Sequence, residues 1–190
     1  MTTGPAIAGQ GTQAITVVRN ARAAGRVGPG VMVREARADE FDAIGDLRVA
    51  AYRADGFLTA TSGYAATLRA LGADGQGDVL AAVDGGLIVG TVMLQGWPGG
   101  QMARGPGEAD VRALTVAPDA RGRGIGAALV SAVIERAAGR GIRRLVLLTL
   151  PEMRAAHRLY SQAGFRRLPD RDWSPRPGEV LLAYGLVLAP

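Results

Sequence analysis

A chain of 190 residues suits one domain with a tail, and its 48% apolar content is that of an ordinary folded protein. It has no cysteine and one histidine, His157, which excludes disulfides, thiol nucleophiles and clustered Cys or His metal sites, so no metal is expected. The net charge is +5 and all 22 basic residues are arginine; without lysine, neither a Schiff base nor an ATP-binding P-loop is available.

Residues 1–30 are rich in glycine, carry three arginines and no acid, and show no apolar period. They are expected to form a disordered extension, dispensable for folding, before a domain over 31–190. Val31 to Arg37 reads as a strand. Asp39 is placed to cap a helix over 40–53 whose Phe41, Ile44, Leu47, Val49 and Tyr52 form an apolar stripe. Ser62 is placed to cap a second helix ending near Leu71, with Gly72 as its stop. Val79–Val83 and Leu87–Leu94 are strands joined at Asp84-Gly85-Gly86, a hairpin signal.

A loop over 96–107 holds Trp97, and a strand over 108–116 follows it. The spacing of Ile125, Leu129, Val133 and Ile134 predicts a helix over 124–139, stopped at Gly141. Arg144–Thr149 is a continuous apolar strand, as a central position buried on both faces requires. Pro151 is expected to open a helix to about Ala163, ended by Gly164. Phe165–Leu168 and Glu179–Val187 read as the last strands, with a proline- and charge-rich loop between them. The order is that of an α/β domain with a mixed sheet and a central β-α-β-α unit.

The most informative segment is Leu114-Thr115-Val116-Ala117-Pro118-Asp119-Ala120-Arg121-Gly122-Arg123-Gly124-Ile125-Gly126-Ala127. A strand ends and three alternate glycines lead into a helix. Such glycines let the backbone turn and let a ligand approach, and the first helical amides make an anion site. Arg121 and Arg123 add positive charge, and residues 112–144 hold seven arginines against two acids. A pyrophosphate is the natural occupant. Gly122-x-Gly124-x-x-Ala127 also fits a relaxed dinucleotide fingerprint, but Pro118-Asp119-Ala120 intervene and the next strand ends without a ribose-binding acid. A purely structural glycine turn is the third reading.

Arg121-Gly122-Arg123-Gly124-Ile125-Gly126 resembles the Arg/Gln-x-x-Gly-x-Gly/Ala motif of the GNAT superfamily of N-acetyltransferases. Leu114–Pro118 is similar to the strand before that motif, and His157–Phe165, with Leu159-Tyr160 and Gly164-Phe165, resembles its second signature. The resemblance covers about 31–188 and extends to bacterial members. It implies a mostly antiparallel mixed sheet with flanking helices and splayed parallel strands at a cofactor cleft. It also implies acetyl-CoA as co-substrate, with an acetyl group passing directly to a primary amine.

Carried over, Leu114, Thr115 and Val116 would pair with the pantetheine amides, and Arg121, Gly122, Arg123, Gly124, Ile125, Gly126 and Ala127 would hold the pyrophosphate. Tyr160 matches the tyrosine that protonates the departing thiolate, against the plainer reading of an aromatic packed at a helix end. Deprotonating an alkylamine at pH 7 costs roughly 4.6 kcal/mol. Some members use a carboxylate on the strand before the glycine turn, where Asp110 and Glu108 stand two apart on one face; two solvated acids are the bland alternative. Met153 stands where the family often has asparagine, which removes a contact to the cofactor arm. His157 reads as a packed helix residue.

The acceptor stays open between a small-molecule amine and a peptide or protein amine, and the loops 53–62, 96–107 and 169–178 would set it. Trp97 and Trp173 lie in such loops. A non-catalytic CoA-binding sensor or interaction module is the alternative function. Nucleic acid is not expected, because basic and aromatic residues are not interleaved and, beyond residue 30, nineteen arginines face seventeen acids. With no apolar run of 18 residues no membrane partner is expected, and the protein is read as cytoplasmic. Members commonly form homodimers, and nothing in the sequence indicates which face would pair.

Overall fold

The structure, a computed structural model, describes residues 30–59 and 62–188. The expectation for the N-terminal extension therefore lies outside the described residues, apart from Gly30. In chain order the elements are β1 (Val31–Glu35), α1 (Phe41–Ala54), α2 (Tyr64–Ala70), β2 (Asp78–Asp84), β3 (Leu87–Gly96) and β4 (Glu108–Val116). Then come α3 (Ile125–Gly139), β5 (Arg144–Thr149), α4 (Arg154–Gln162), β6 (Arg166–Arg167), β7 (Trp173–Arg176) and β8 (Glu179–Val187).

The strands form one α/β sheet in the order β1-β2-β3-β4-β5-β8-β6, with β7 hydrogen-bonded to β8. Among the described residues β4 and β5 are the parallel pair and every other neighbouring pair is antiparallel. Side-chain alternation sorts the sheet into two covered faces. Leu80, Ala82, Ala109 and Val111 join Ile125, Leu129 and Val133 of α3 in the larger cluster, with Tyr160 and Phe165. Val79, Ala81, Val83 and Met93 face the other way onto Ile44 of α1. Val49, Leu58 and Leu68 then tie α1 to α2.

The parallel ladder is short. It pairs Glu108 with Arg144, Ala109 with Leu145 and Asp110 with Val146, and beyond those residues the two strands part. A bulge sits at the fork: Thr91 pairs with Thr115 and Met93 with Arg112, so Ala113 and Leu114 together oppose Val92. Ala113 adopts a φ of 48°, which turns β4 away from β5.

Several boundaries differ from expectation. Pro151 does not open α4; Met153 N–H donates to Leu150 O in a turn, and the helix begins at Arg154. Asp39 does not cap α1 but lies in a short 3-10 turn over Ala38–Glu40, where the buried Glu40 accepts from Arg34 and from the Arg37 amide. The strand foreseen at Phe165–Leu168 is shortened to Arg166–Arg167, and the loop after it contains β7.

Candidate functional site

The glycine turn is built as its sequence requires. Gly122 and Gly124 have φ of 75° and 78°, a region that L side chains resist, and a Cβ on Gly122 would meet only open space. Gly124 is the N-cap of α3 and no side chain caps the helix. Its carbonyl takes the amide of Ala128 at 3.0 Å, so the amides of Ile125, Gly126 and Ala127 have no partner within the helix. Gly126 lets α4 close in, because a Cβ there would stand 3.2 Å from Leu159 Cδ2.

The two arginines of the turn are already engaged. Arg121 donates to both oxygens of Asp55, and Arg123 donates to Asp84 at 2.6 Å. Arg121 still borders the cleft. Arg123 does not, nor does Ala127. Of the two guanidiniums expected at a phosphate, Arg121 lines a cavity while paired with Asp55, and Arg123 instead meets the acid at the end of β2.

Two cavities flank the fork. The first, of about 540 Å³, is lined by Leu114, Thr115, Val116, Arg121, Gly122, Gly124, Ile125, Gly126 and Tyr160. The second, of about 380 Å³, is lined by Tyr64, Met102, Asp110, Arg112, Trp173 and Arg176 among others. Tyr52, Phe57, Ala113, Thr149 and Met153 line both, so the two meet where β4 and β5 part. Of the tryptophans, Trp173 borders the second cavity and Trp97 borders neither.

Tyr160, 7% exposed, packs against Phe165 and Tyr184, and burial pushes its hydroxyl above the ordinary phenol range. Asp110 lines the second cavity with 2% exposure. Burial raises its carboxyl above the usual range against the pull of the loop amides, of which Met102 N–H donates to Oδ2 at 2.7 Å. Its Oδ1 is buried without a hydrogen-bond partner.

Glu108 is differently placed from its neighbour on the same face. It lines neither cavity and accepts from Arg171 at 3.2 and 3.1 Å and from the Arg104 amide at 2.9 Å. Burial raises its carboxyl, but the Arg171 and Arg104 hydrogen bonds and the charges of Arg171 and Arg144 together hold it below the usual range. Its geometry is that of an anchor rather than a base at the cleft. His157 contacts Leu150 O at 2.9 Å and stacks near Tyr184, outside both cavities.

Tyr52, Phe57, Tyr64 and Arg112 line the site without having been singled out for it. Arg112 had a legible signal, since it follows Asp110 by two in a strand and so shares its face. The aromatic residues come from α1, α2 and the segment between, whose approach to the fork is set by tertiary packing.

Residues 41–165 match the acetyltransferase (GNAT) family. The chain belongs to this family. A mycothiol acetyltransferase from Cellulomonas flavigena is 37% identical over 97 residues, which are 50% of this chain and 28% of that protein. The match thus takes in under a third of that relative's length. A GNAT-family acetyltransferase from Staphylococcus aureus Mu50 superposes with a TM-score of 0.66 at 18% identity, over 84% of this chain and 99% of that one. The Salmonella typhimurium protein yncA, solved with its cofactor acetyl-CoA, gives 0.62 at 20% identity over 84% and 95% of the two chains. At these identities the structures establish the shared fold, a mixed and mostly antiparallel sheet with flanking helices. No group of three His, Asp or Glu side chains converges as a metal site, and no helix is long and apolar enough to cross a membrane, among the described residues.

Proposed function

We propose that this GNAT chain moves an acetyl group from acetyl-CoA directly to a primary amine. The observation that carries the reading is the meeting of two cavities at the β4–β5 fork, one lined by the uncapped start of α3 and the other by a buried carboxylate. The residues fit the cofactor. Gly122, Gly124, Ile125 and Gly126 line the first cavity where a Cβ on Gly122 would meet only open space and the first amides of α3 lack helical partners, a cradle suited to a pyrophosphate. Leu114, Thr115 and Val116 offer a strand edge that β5 leaves unpaired, suited to the pantetheine amides.

Acetyl-CoA supplies an acetyl thioester, and in the transfer a C–N bond replaces the C–S bond. Tyr160 is the proton donor to the departing sulfur: burial keeps its hydroxyl protonated, and it lines the first cavity. Asp110 receives the proton that the amine gives up, directly or through water. Its raised carboxyl makes it a better base than an exposed aspartate, although still far weaker than an amine, so its charge also serves to hold the ammonium.

The test is a thiol-release assay with acetyl-CoA over a panel of amines. Release that depends on the amine supports the transfer. A chain that binds coenzyme A and acetylates nothing is a sensor or interaction module instead.

A further inference from the structure

Among the described residues three arginines are buried, and they are not alike. Arg34, Arg48 and Arg171 are 9%, 0% and 4% exposed. Arg34 grips Glu40 with contacts of 2.7 and 2.6 Å, and Arg171 grips Glu108. Arg48 has no acid. Its Nη1 donates to the carbonyls of Leu68 and Leu71 at the end of α2, while Nε and Nη2 are buried with no partner. Every Asp and Glu of the chain falls between residues 31 and 188, so none is hidden in the undescribed segments. A buried charge left without a counter-ion is costly, and although Arg48 borders neither cavity, its field favours an anion nearby.

Arg112 is near enough for its charge to act on Arg48. It lines the 380 Å³ cavity and donates to the neutral Gln95 at 2.8 Å, with no carboxylate paired to it among the described residues. Tyr52, Tyr64 and Arg112 all line this cavity, and the Arg112 charge adds to burial in lowering the Arg48 guanidinium. Arg176 at its rim is taken by Glu179 at 3.4 Å. The cavity therefore has a positive pole at Arg112 backed by Arg48, and a negative pole at the unpartnered Oδ1 of Asp110 two residues along β4.

We infer that the acceptor is a small amine that also carries a carboxylate, of amino-acid size, with the carboxylate on Arg112 and the ammonium toward Asp110. The inference rests on the acetyl-transfer reading and names the acceptor class for that same site. The volume supports a small molecule, since it lies near the lower end of ligand pockets at roughly 300–1,000 Å³. Arg112 touches the acceptor; Arg48 acts through the field it adds.

The test uses the full chain with acetyl-CoA and, as acceptors, the twenty amino acids, their carboxamides and their decarboxylated amines. Coenzyme A calorimetry on the same protein reports whether the cofactor site beneath the acetyl-transfer reading stands. The expected result is a preference for acid over carboxamide of about tenfold or more in kcat/KM, the size of one charge-assisted hydrogen bond. Arg112→Gln should collapse that preference and Arg112→Lys should keep part of it. Arg48→Met should also reduce it; a loss of Tm with the preference intact would confine Arg48 to tying the end of α2 and overturn its part. Carboxamides or decarboxylated amines used as well as acids would overturn the inference while leaving acetyl transfer standing. A coenzyme-A-binding chain that accepts no member of the panel would overturn the inference too and leave the sensor reading in its place. Absent coenzyme A heat would instead bring down the reading beneath it.

Discussion

Arg121 and Asp55 hold each other through two parallel contacts, Nη1 to Oδ1 at 2.7 Å and Nη2 to Oδ2 at 2.9 Å, across 66 residues of sequence. The pair fixes the mouth of the glycine turn to the end of α1. It is one of a set: Arg123 meets Asp84, Arg136 meets Glu35, Arg140 meets Asp78 and Arg144 meets Glu108. The basic run around the turn is thus matched by acids from other elements, and the cradle depends on its amides more than on local net charge.

Arg121→Ala is accordingly expected to weaken coenzyme A binding by less than about tenfold, because much of that guanidinium is committed to Asp55 on a partly exposed surface. Calorimetry checks this. A hundredfold loss would mean that Arg121 leaves Asp55 for the phosphates.

Tyr160→Phe keeps the ring that packs on Phe165 and Tyr184 and removes the hydroxyl alone. Its Tm should stay close to that of the parent, while kcat falls by about 100-fold or more. Steady-state rates and a thermal melt, taken together, separate the two effects. Equal kcat would remove Tyr160 from proton transfer.

Burial raises the Asp110 carboxyl above the ordinary aspartate range. The rate needs the ionised form, so kcat/KM should fall as the pH drops through that raised value, and Asp110→Asn should remove this acidic limb along with most of the rate. Unfolding through this group does not explain the limb. A carboxyl whose folded pKa lies above its unfolded value binds protons more readily when folded, so it favours folding more as the pH falls. A pH–rate profile of both proteins decides it; an unchanged limb in the variant would exclude Asp110 as its source.

Glu108 and Arg171 make a structural pair, and Arg171 also donates to the Met102 carbonyl of the loop over Asp110. Arg171→Met should cost about 3 kcal/mol, because Glu108 is left partly buried without its main partner. Glu108→Gln should lower stability and change kcat no more than a few-fold. Urea unfolding and kinetics on the two variants test this. A collapse of kcat in Glu108→Gln with stability unchanged would restore Glu108 to the chemistry.

Much of this was legible in the sequence. The strands at 108–116, 144–149 and 179–187 matched in their bounds, because alternation or an unbroken apolar run leaves little choice of register. The glycine turn was legible because Gly122 and Gly124 are needed for their positive φ. β7 was not, since Ser174, Pro175 and Arg176 carry no strand pattern and the strand is held by pairing to β8. Nor did spacing reveal that Arg123 reaches Asp84, or that Arg48 reaches the carbonyls of Leu68 and Leu71. Those are contacts between elements distant in sequence, fixed by packing rather than by period.

The account stands most directly on coenzyme A titrated into the full chain by calorimetry, beside Gly124→Glu, which places a carboxylate and a side chain at a φ of 78° in the anion cradle. It predicts saturable heat at one molecule per chain for the parent and about a hundredfold weaker binding, or none, for the variant. Folded parent protein that gives no heat at millimolar coenzyme A, or a variant that binds as well as the parent, would contradict it.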